Sequence, residues 1–596
     1  MRTFGNFAEV GRSGNYFRKA LRLVALPVGL FAFAGTCRAD VIADVNASLL
    51  TIIADTSAAL IDGPPNVARE VAMVDGAMYN AVNAASGGSV ANASAATAAL
   101  SAAYTVMNNL YGTSSLYNPA TNTTTITYNG NTLAAAPTSQ QYAGVQAKLT
   151  AVFNELTNAT ASANATLSGT GTTGSTLGAT AANAMIAARV ADNGTAAMLS
   201  TLSAPYMPVT TAGVYATPAG RPPLEPGAGA VTPFVIGAAT QATIVGNVPG
   251  PPAVNAQAYA QQVLQTGCQG SSGVLPSAMI AACIAAGFPP QTAAQAQAAL
   301  YWNDPGGTYQ PPGHWLQIAD SVAASTALTL LQHAQEDALV GAAMSDAGAA
   351  TWQVKYTDNR WRPITAIQNC GIWASPYFPA GACDPTWNSL IATPPHPDYL
   401  AGHPAFSGAA ATVLDNFFQT DNIAFTASSQ AYCNAGTTQR DALGNLVSCT
   451  LNSVVYTYDP NNLSACNNAG TGTAVPLNAD FSSNAYNAST NPNGYNASPL
   501  ICPIDLSFSG FQAASSGDLG STFSRVVGGI HTPQAVTDAL ALGNQIGQAV
   551  SNDGNLPEPG TLAVFGVALA GVAMARRRGV RPWFVQTAVP LGSGTA

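Results

Sequence analysis

A largely helical fold is what the sequence predicts, and three observations predict it. Apolar residues recur at helical spacing over 41–83 and again over 293–350. The hydrophobic share of 47% is swollen by alanine, which argues for small-residue helices and loops and against membrane spans. A chain of 596 residues is also long enough for two bundles of ordinary domain size.

The chain opens on a targeting segment. Arg12, Arg18, Lys19 and Arg22 precede the apolar run 23–34, and Cys37-Arg38-Ala39 offers small residues for cleavage before Asp40, so residues 1–39 read as a signal peptide. Acylation of Cys37 is the alternative for this segment. Residues 41–83 read as two helices separated by Pro64-Pro65, the first carrying Val45, Leu49, Ile52 and Ile53 on one face, the second Val67, Val71, Val74 and Met78. Core packing is the reading of that face, with Arg69 and Asp75 solvated or paired. From 84 to 260 the composition turns to Ala, Thr, Ser, Asn and Gly, with a short β-hairpin expected around Asn129-Gly130 and helices resuming over 141–158 and 178–203. Proline-rich stretches at 218–233 and 248–253 read as loops. The helical signal over 293–350 contains His333, read as a core residue. His314 and His396, beside prolines, read as loop residues and weaker site candidates. The division that follows is an N-terminal helical half, 40–300, and a C-terminal half, 301–553. Within the latter, 420–520 is an Asn/Ser/Gly-rich insertion with four cysteines.

Outside the N-terminal segment eight cysteines remain, an even number in an exported chain, and disulfides are expected. Sequential pairing gives Cys268–Cys283, Cys370–Cys383 and Cys433–Cys449 as the close pairs. No Cys-x2-Cys spacing or nearby pair of histidines points to a metal. No segment of the body has 18 uninterrupted apolar residues, so a soluble body is expected.

Charge is scarce, and its placement is informative. Only 8% of residues are charged and the net charge is −9, which gives no basic face for nucleic acid. Between residues 40 and 575 there are nine Lys or Arg, and three of them, Lys355, Arg362 and Arg525, fall in three short motifs that also carry His403 and His531. The first motif runs from Lys355 to Pro363; its seven-position spacing, nearly two helical turns, would set both cations on one helix face. The second, Pro394 to Pro404, ends in Gly402-His403 ahead of an apolar run, so backbone N–H groups and a helix dipole can face an anion, with Pro404 suited to the first helical position. The third, Ser524 to Pro533, sets His531 before a helix start, with Thr532 as its cap. Three cations and two histidines of this kind suit a multiply charged oxyanion.

These motifs resemble those of the vanadium-dependent haloperoxidases and the related type 2 phosphatidic acid phosphatases, Lys-x6-Arg-Pro, Pro-Ser-Gly-His and Ser-Arg-x5-His, here at Lys355–Pro363, Leu400–His403 and Ser524–His531. Trp361–Ile367, Asp346 and residues 68–83 resemble the soluble bacterial haloperoxidase branch. The resemblance implies an all-α fold of two packed four-helix bundles with the oxyanion at one end of the second. It implies vanadate as cofactor, held by Lys355, Arg362, Arg525 and the Gly402 N–H, with His531 as axial ligand and His403 as acid–base group. Lys355 would polarise hydrogen peroxide so that a halide attacks it. The phosphatase alternative gives the same cations a phosphate ester, with His531 as nucleophile and His403 protonating the leaving alcohol. A third alternative is a catalytically silent matrix protein. Two departures bear on this choice: Ala401 stands where the family has Ser, and Ala535 where it often has an Asp partner for the histidine, the nearest downstream carboxylate being Asp538.

The C-terminus resembles a PEP-CTERM sorting signal: Asn555-Leu-Pro557-Glu558-Pro559, an apolar run over 561–575, and Arg576-Arg577-Arg578. It is assigned to 554–579, leaving a tail of 580–596. The implied partner is an exosortase, with only transient membrane contact through 561–575 and a final location in the periplasm, outer surface or matrix of a Gram-negative bacterium.

Overall fold

A computed structural model describes residues 41–57, 63–86, 92–111, 170–194, 204–217, 222–373, 376–429 and 504–553. It also describes short pieces between 150 and 158 and near 200, and strands at 125–134 and between 438 and 468. The chain divides into two compact units, 1–39 and 40–596, and the first lies outside the described residues, as do 554–596.

Helices dominate. They are α1 Val41–Ser57, α2 Pro64–Ser86, α3 Asn92–Tyr111, α4 Thr170–Arg189, α5 Ala238–Gly246, α6 Gln257–Gln269, α7 Ser277–Ala286, α8 Ala293–Tyr301, α9 Gln310–Thr326 and α10 Leu330–Asp358. Then follow α11 Pro363–Gln368, α12 Gly402–Phe418, α13 Phe511–Ser516, α14 Ser521–Val527 and α15 Pro533–Asp553. The expected break at Pro64-Pro65 is where α2 begins, prolines being tolerated in a first helical turn. The helix expected over 178–203 starts earlier, at Thr170, and stops at Arg189; Asn193 then takes a left-handed backbone conformation, φ 65°. That over 141–158 lies mostly outside the described residues. α3 falls in a stretch read as low complexity, yet its Ala98, Ala99, Ala102, Val106 and Met107 are buried.

The 29-residue α10 is the axis of the molecule. A capping box at Thr329 and Gln332 starts it, which satisfies two N–H groups that would otherwise lack acceptors. One flank packs on α2, which in turn packs on α3 and α4; the other packs on α12, which packs on α15, so the two bundles share α10. Small residues let these helices come close. A Cβ on Gly408 would lie 2.8 Å from the Leu540 carbonyl oxygen, and one on Gly547 would lie 2.6 Å from that of Ala409, so α12 and α15 meet backbone to backbone. The alanine and glycine content is therefore a packing device. Core residues such as Leu49, Val74, Leu316, Val340 and Leu414 are fully buried, each worth about 1.5–3 kcal/mol.

Arg69 and Asp75 are not solvated. Arg69 makes a two-pronged pair with Asp192, Nε to Oδ2 2.8 Å and Nη2 to Oδ1 3.0 Å. Asp346 accepts the backbone N–H groups of Phe234, Val235 and Ile236, tying that bend to α10. His314 lies in α9 rather than in a loop, and His333 is buried in α10 as expected of a core residue.

Sheets are minor. β1 Thr125–Tyr128 pairs antiparallel with β2 Asn131–Ala134, the hairpin expected at Asn129-Gly130. β3 Phe425–Ser428 and β8 Asp505–Phe508 pair antiparallel. Between them β4 Thr438–Arg440, β5 Leu446–Leu451, β6 Val454–Thr457 and β7 Asn467–Asn468 form a four-stranded sheet. Two of the three close cysteine pairs are bonded, Cys268–Cys283 and Cys370–Cys383, each with Cα atoms 5.7 Å apart. Cys433 lies outside the described residues. No described helix is long and apolar enough to cross a membrane.

Candidate active site

Lys355 and Arg362 meet, but not because they share a helix face. α10 ends at Asp358, Asn359 adopts a left-handed conformation with φ 47°, and Arg362 precedes α11 across an extended turn. The chain turns a corner between them, and both side chains reach the segment 396–398. Lys355 Nζ donates to the Pro397 carbonyl at 2.8 Å and to that of Asp398 at 3.4 Å. Arg362 donates through Nε to the His396 carbonyl at 2.6 Å, through Nη1 to the Ile530 carbonyl at 2.7 Å and to His531 Nε2 at 3.0 Å, and through Nη2 to His396 Nδ1 at 2.9 Å. The third cation, Arg525, sits in the last turn of α14 and points Nη1 at His403 Nε2, 3.4 Å away. All three are buried, and neither Lys355 nor Arg525 has a carboxylate within ion-pair distance among the described residues.

Both histidines have carboxylates near them, but only that of His531 sits on the nitrogen opposite its Arg contact. His531 Nδ1 lies 2.7 Å from Asp398 Oδ1, and Asp398 also accepts from Thr532, through Oγ1 at 2.8 Å and the backbone N–H at 3.3 Å. A proton on Nδ1 leaves the Nε2 lone pair free to accept, as it does from Arg362. The expectation of an unpartnered His531 is thereby corrected: Ala535 supplies no carboxylate, but Asp398, from the loop before α12, does. Asp538 is engaged elsewhere, with the Tyr399 hydroxyl at 2.8 Å and Gln534 Nε2 at 2.9 Å. His403 Nε2 lies 3.7 Å from Asp304 Oδ2, and Asp304 also meets His314 Nδ1 at 3.1 Å.

The segment before α12 is built differently from the sequence reading. Ala401 is the cap, its N–H bound to the Ala535 carbonyl at 2.9 Å, so Gly402 and His403 are the first helical residues and Pro404 is the third. N–H groups of a first turn lack intrahelical acceptors, which leaves that of Gly402 suited to an anion. A Cβ on Gly402 would lie 3.2 Å from Trp352 Cζ3, so glycine lets the indole form the floor. His396, read as a marginal loop residue, is buried here against Trp352, ring centroids 5.0 Å apart, and against Arg362.

Electrostatics follow from crowding three cations in a dry site. Burial, reinforced by Arg362, pulls the Lys355 ammonium well below its usual range. Burial and Arg362 do the same to His531, and burial with Lys355 to His396. His403 falls to about 4 through burial and the charge of Arg525, against the opposing pull of Asp304. Arg525 itself is lowered to about 9, first by burial. At neutral pH these imidazoles are uncharged, and among the described residues the three cations share the site with only two carboxylates, Asp398 and Asp304. The donor set fits a tetrahedral oxyanion with an imidazole ligand, and so fits vanadate.

Comparison with known proteins agrees. Residues 336–450 match the model of the VCPO second helical-bundle domain, and residues 555–578 match that of the PEP-CTERM protein-sorting motif. The vanadium chloroperoxidase of Curvularia inaequalis is 28% identical over 133 residues, which cover 20% of this chain and 22% of that protein's length. Among solved structures, a bacterial vanadium-dependent iodoperoxidase superposes with a TM-score of 0.53 at 18% identity, over 86% of this chain and 96% of the other, a likeness of fold. A bacterial vanadium-dependent chloroperoxidase in its holo form gives 0.48 at 12% identity, over 83% and 93%. Residues 336–450 thus match the second helical bundle of the vanadium chloroperoxidases, the fold is similar to that of a vanadium haloperoxidase, and residues 555–578 carry a PEP-CTERM motif.

Proposed function

We propose that the chain is a vanadate-dependent haloperoxidase, exported and processed at its C-terminus by an exosortase. The observation that supports the reading is the placing of Arg362 on the carboxylate-backed His531 and of Arg525 on His403, with all three cations, Lys355 included, within electrostatic reach of His531. Bound vanadate would supply the Lewis acidity that activates hydrogen peroxide toward a halide. Lys355, Arg362, Arg525 and the Gly402 N–H would hold the oxyanion and neutralise it, and His531 Nε2 would be its nitrogen donor. Asp398 keeps the proton of His531 on Nδ1, so that Nε2 can exchange Arg362 for the guest without a change of tautomer. His403, uncharged at neutral pH, takes up a proton rather than delivering one. An anion beside Lys355 would favour its charged form, leaving an ammonium donor at the edge of the oxyanion.

The same donor set suits a phosphate ester, and the oriented His531 Nε2 suits a nucleophile, so the test runs both chemistries. Purified protein is assayed with vanadate, hydrogen peroxide and iodide or bromide, and in parallel with an aryl phosphate. Vanadate-dependent halide oxidation, lost in His531→Ala, is the expected result. Turnover of the aryl phosphate without halide oxidation would overturn it in favour of a phosphatase. Silence in both assays, together with no retention of vanadate in equilibrium dialysis, would leave a matrix protein.

A further inference from the structure

In the first bundle, away from the oxyanion, four acidic side chains converge from three helices. Asp75 comes from α2, Asp320 from α9, and Glu336 and Asp337 from α10, which also brings His333. His333 Nε2 lies 3.0 Å from Asp320 Oδ1 and 3.2 Å from Asp337 Oδ2. One ligand atom from each of these three residues falls within 4.8 Å of the other two. Asn46 of α1 stitches the pair of aspartates, its Nδ2 donating to Asp320 at 3.1 Å and to Asp337 at 3.0 Å.

A second observation is independent of that geometry. Asp75 is 1% exposed, and neither of its carboxylate oxygens has a hydrogen-bond partner. It lies within electrostatic reach of Asp337, Asp320 and His333, and Asn46, whose amide sits on the two aspartates, keeps its buried Oδ1 unpartnered. The two carboxylate oxygens of Glu336 are buried without partners too. Buried charges ordinarily come paired, and a lone buried carboxylate costs several kcal/mol. Here one imidazole faces four carboxyls, and no Lys or Arg is among the groups that act on Asp75, Asp320 or Glu336. A divalent cation would stabilise such a group by supplying the missing positive charge.

We propose that Asp320, His333 and Asp337 form a second metal site for a divalent transition ion of the Zn2+ or Mn2+ type, with the buried Asp75 carboxylate as a further negative charge beside it. One imidazole among carboxylates suits such ions better than Ca2+ or Mg2+, which prefer oxygen alone. The site is separate from the oxyanion. His333 and Lys355 lie on one helix about 22 residues apart, roughly 33 Å at 1.5 Å per residue. The ion would tie α9 and α10 together, a structural role in the half of the fold that carries no chemistry.

The test uses the full body after dialysis against a chelator, titrated with ZnCl2 and with MnCl2 while metal content and melting temperature are followed. Expected is one tight equivalent of one metal and a rise in melting temperature, both retained in His531→Ala and lost in His333→Gln. Asp75→Asn, close in shape and free of a buried charge, guards against misfolding. It should weaken the metal at least tenfold and leave the metal-free protein as stable or more so. Two outcomes overturn the proposal. One is the absence of saturable binding in the folded wild type; the other is binding that survives His333→Gln and Asp75→Asn but disappears in His531→Ala, which would assign the metal to the oxyanion site.

Discussion

Replacing Asp398 by Asn tests the carboxylate assignment. The change keeps the shape and an oxygen to accept from His531 Nδ1, but removes the charge behind a 2.7 Å contact and weakens the two bonds from Thr532. A hydrogen bond to a charged group is worth about 1.5–3 kcal/mol, which is roughly 10- to 150-fold in an equilibrium constant. Vanadate affinity, measured by equilibrium dialysis on folded protein, should fall by that factor. Asp538→Asn is the matched control. Its carboxylate serves Tyr399 and Gln534, so affinity should change less than about twofold. If Asp538→Asn weakened vanadate and Asp398→Asn did not, the assignment of the partner to the loop before α12 would be refuted.

Further outcomes follow from the same geometry. Ala401→Ser adds a hydroxyl at the cap of α12 and should tighten vanadate by roughly tenfold, read by the same dialysis. The His403 ring should titrate near pH 4 by NMR, and Arg525→Gln should raise that midpoint by removing the adjacent cation. Because the folded-state value of His403 lies below the unfolded one, its contribution to stability is present above about pH 6.5 and is lost as pH falls toward 4. The buried carboxyls around His333 act in the opposite sense, so denaturant midpoints of His403→Gln and wild type should converge on acidification. Arg69→Met strands the buried Asp192 and should cost about 3–5 kcal/mol in urea unfolding.

The site was legible because charge is rare. When nine cations serve more than five hundred residues, three in short motifs beside histidines stand out. The reason given for Lys355 and Arg362 was nonetheless wrong: no helix joins them, and the left-handed Asn359 turns the chain between them. Asp398 escaped notice because a search along the sequence looks beside His531, and its partner lies 133 positions upstream. His396 escaped because a proline-flanked histidine reads as loop, and only the fold shows Arg362 bound to its ring and its carbonyl. α3 was hidden by composition, since alanine and serine give little contrast between a buried face and a wet one. His333 reads as core from α10 alone; two of the acidic residues near it, Asp75 and Asp320, come from α2 and α9, which no local pattern links.

The β3–β8 ladder brings Ser429 and Ile504 together, with Ser429 N–H donating to the Ile504 carbonyl at 2.9 Å and Ile504 N–H to Ser429 Oγ at 2.9 Å. Whatever the chain does between these two residues, it leaves and re-enters the body through one doorway. Lengthening a closed loop costs only about 0.6 kcal/mol per doubling, so such a doorway tolerates large changes of content. Residues 430–503 are therefore a natural graft position: a short turn or a foreign module could be spliced there while α12 and α14 keep their places.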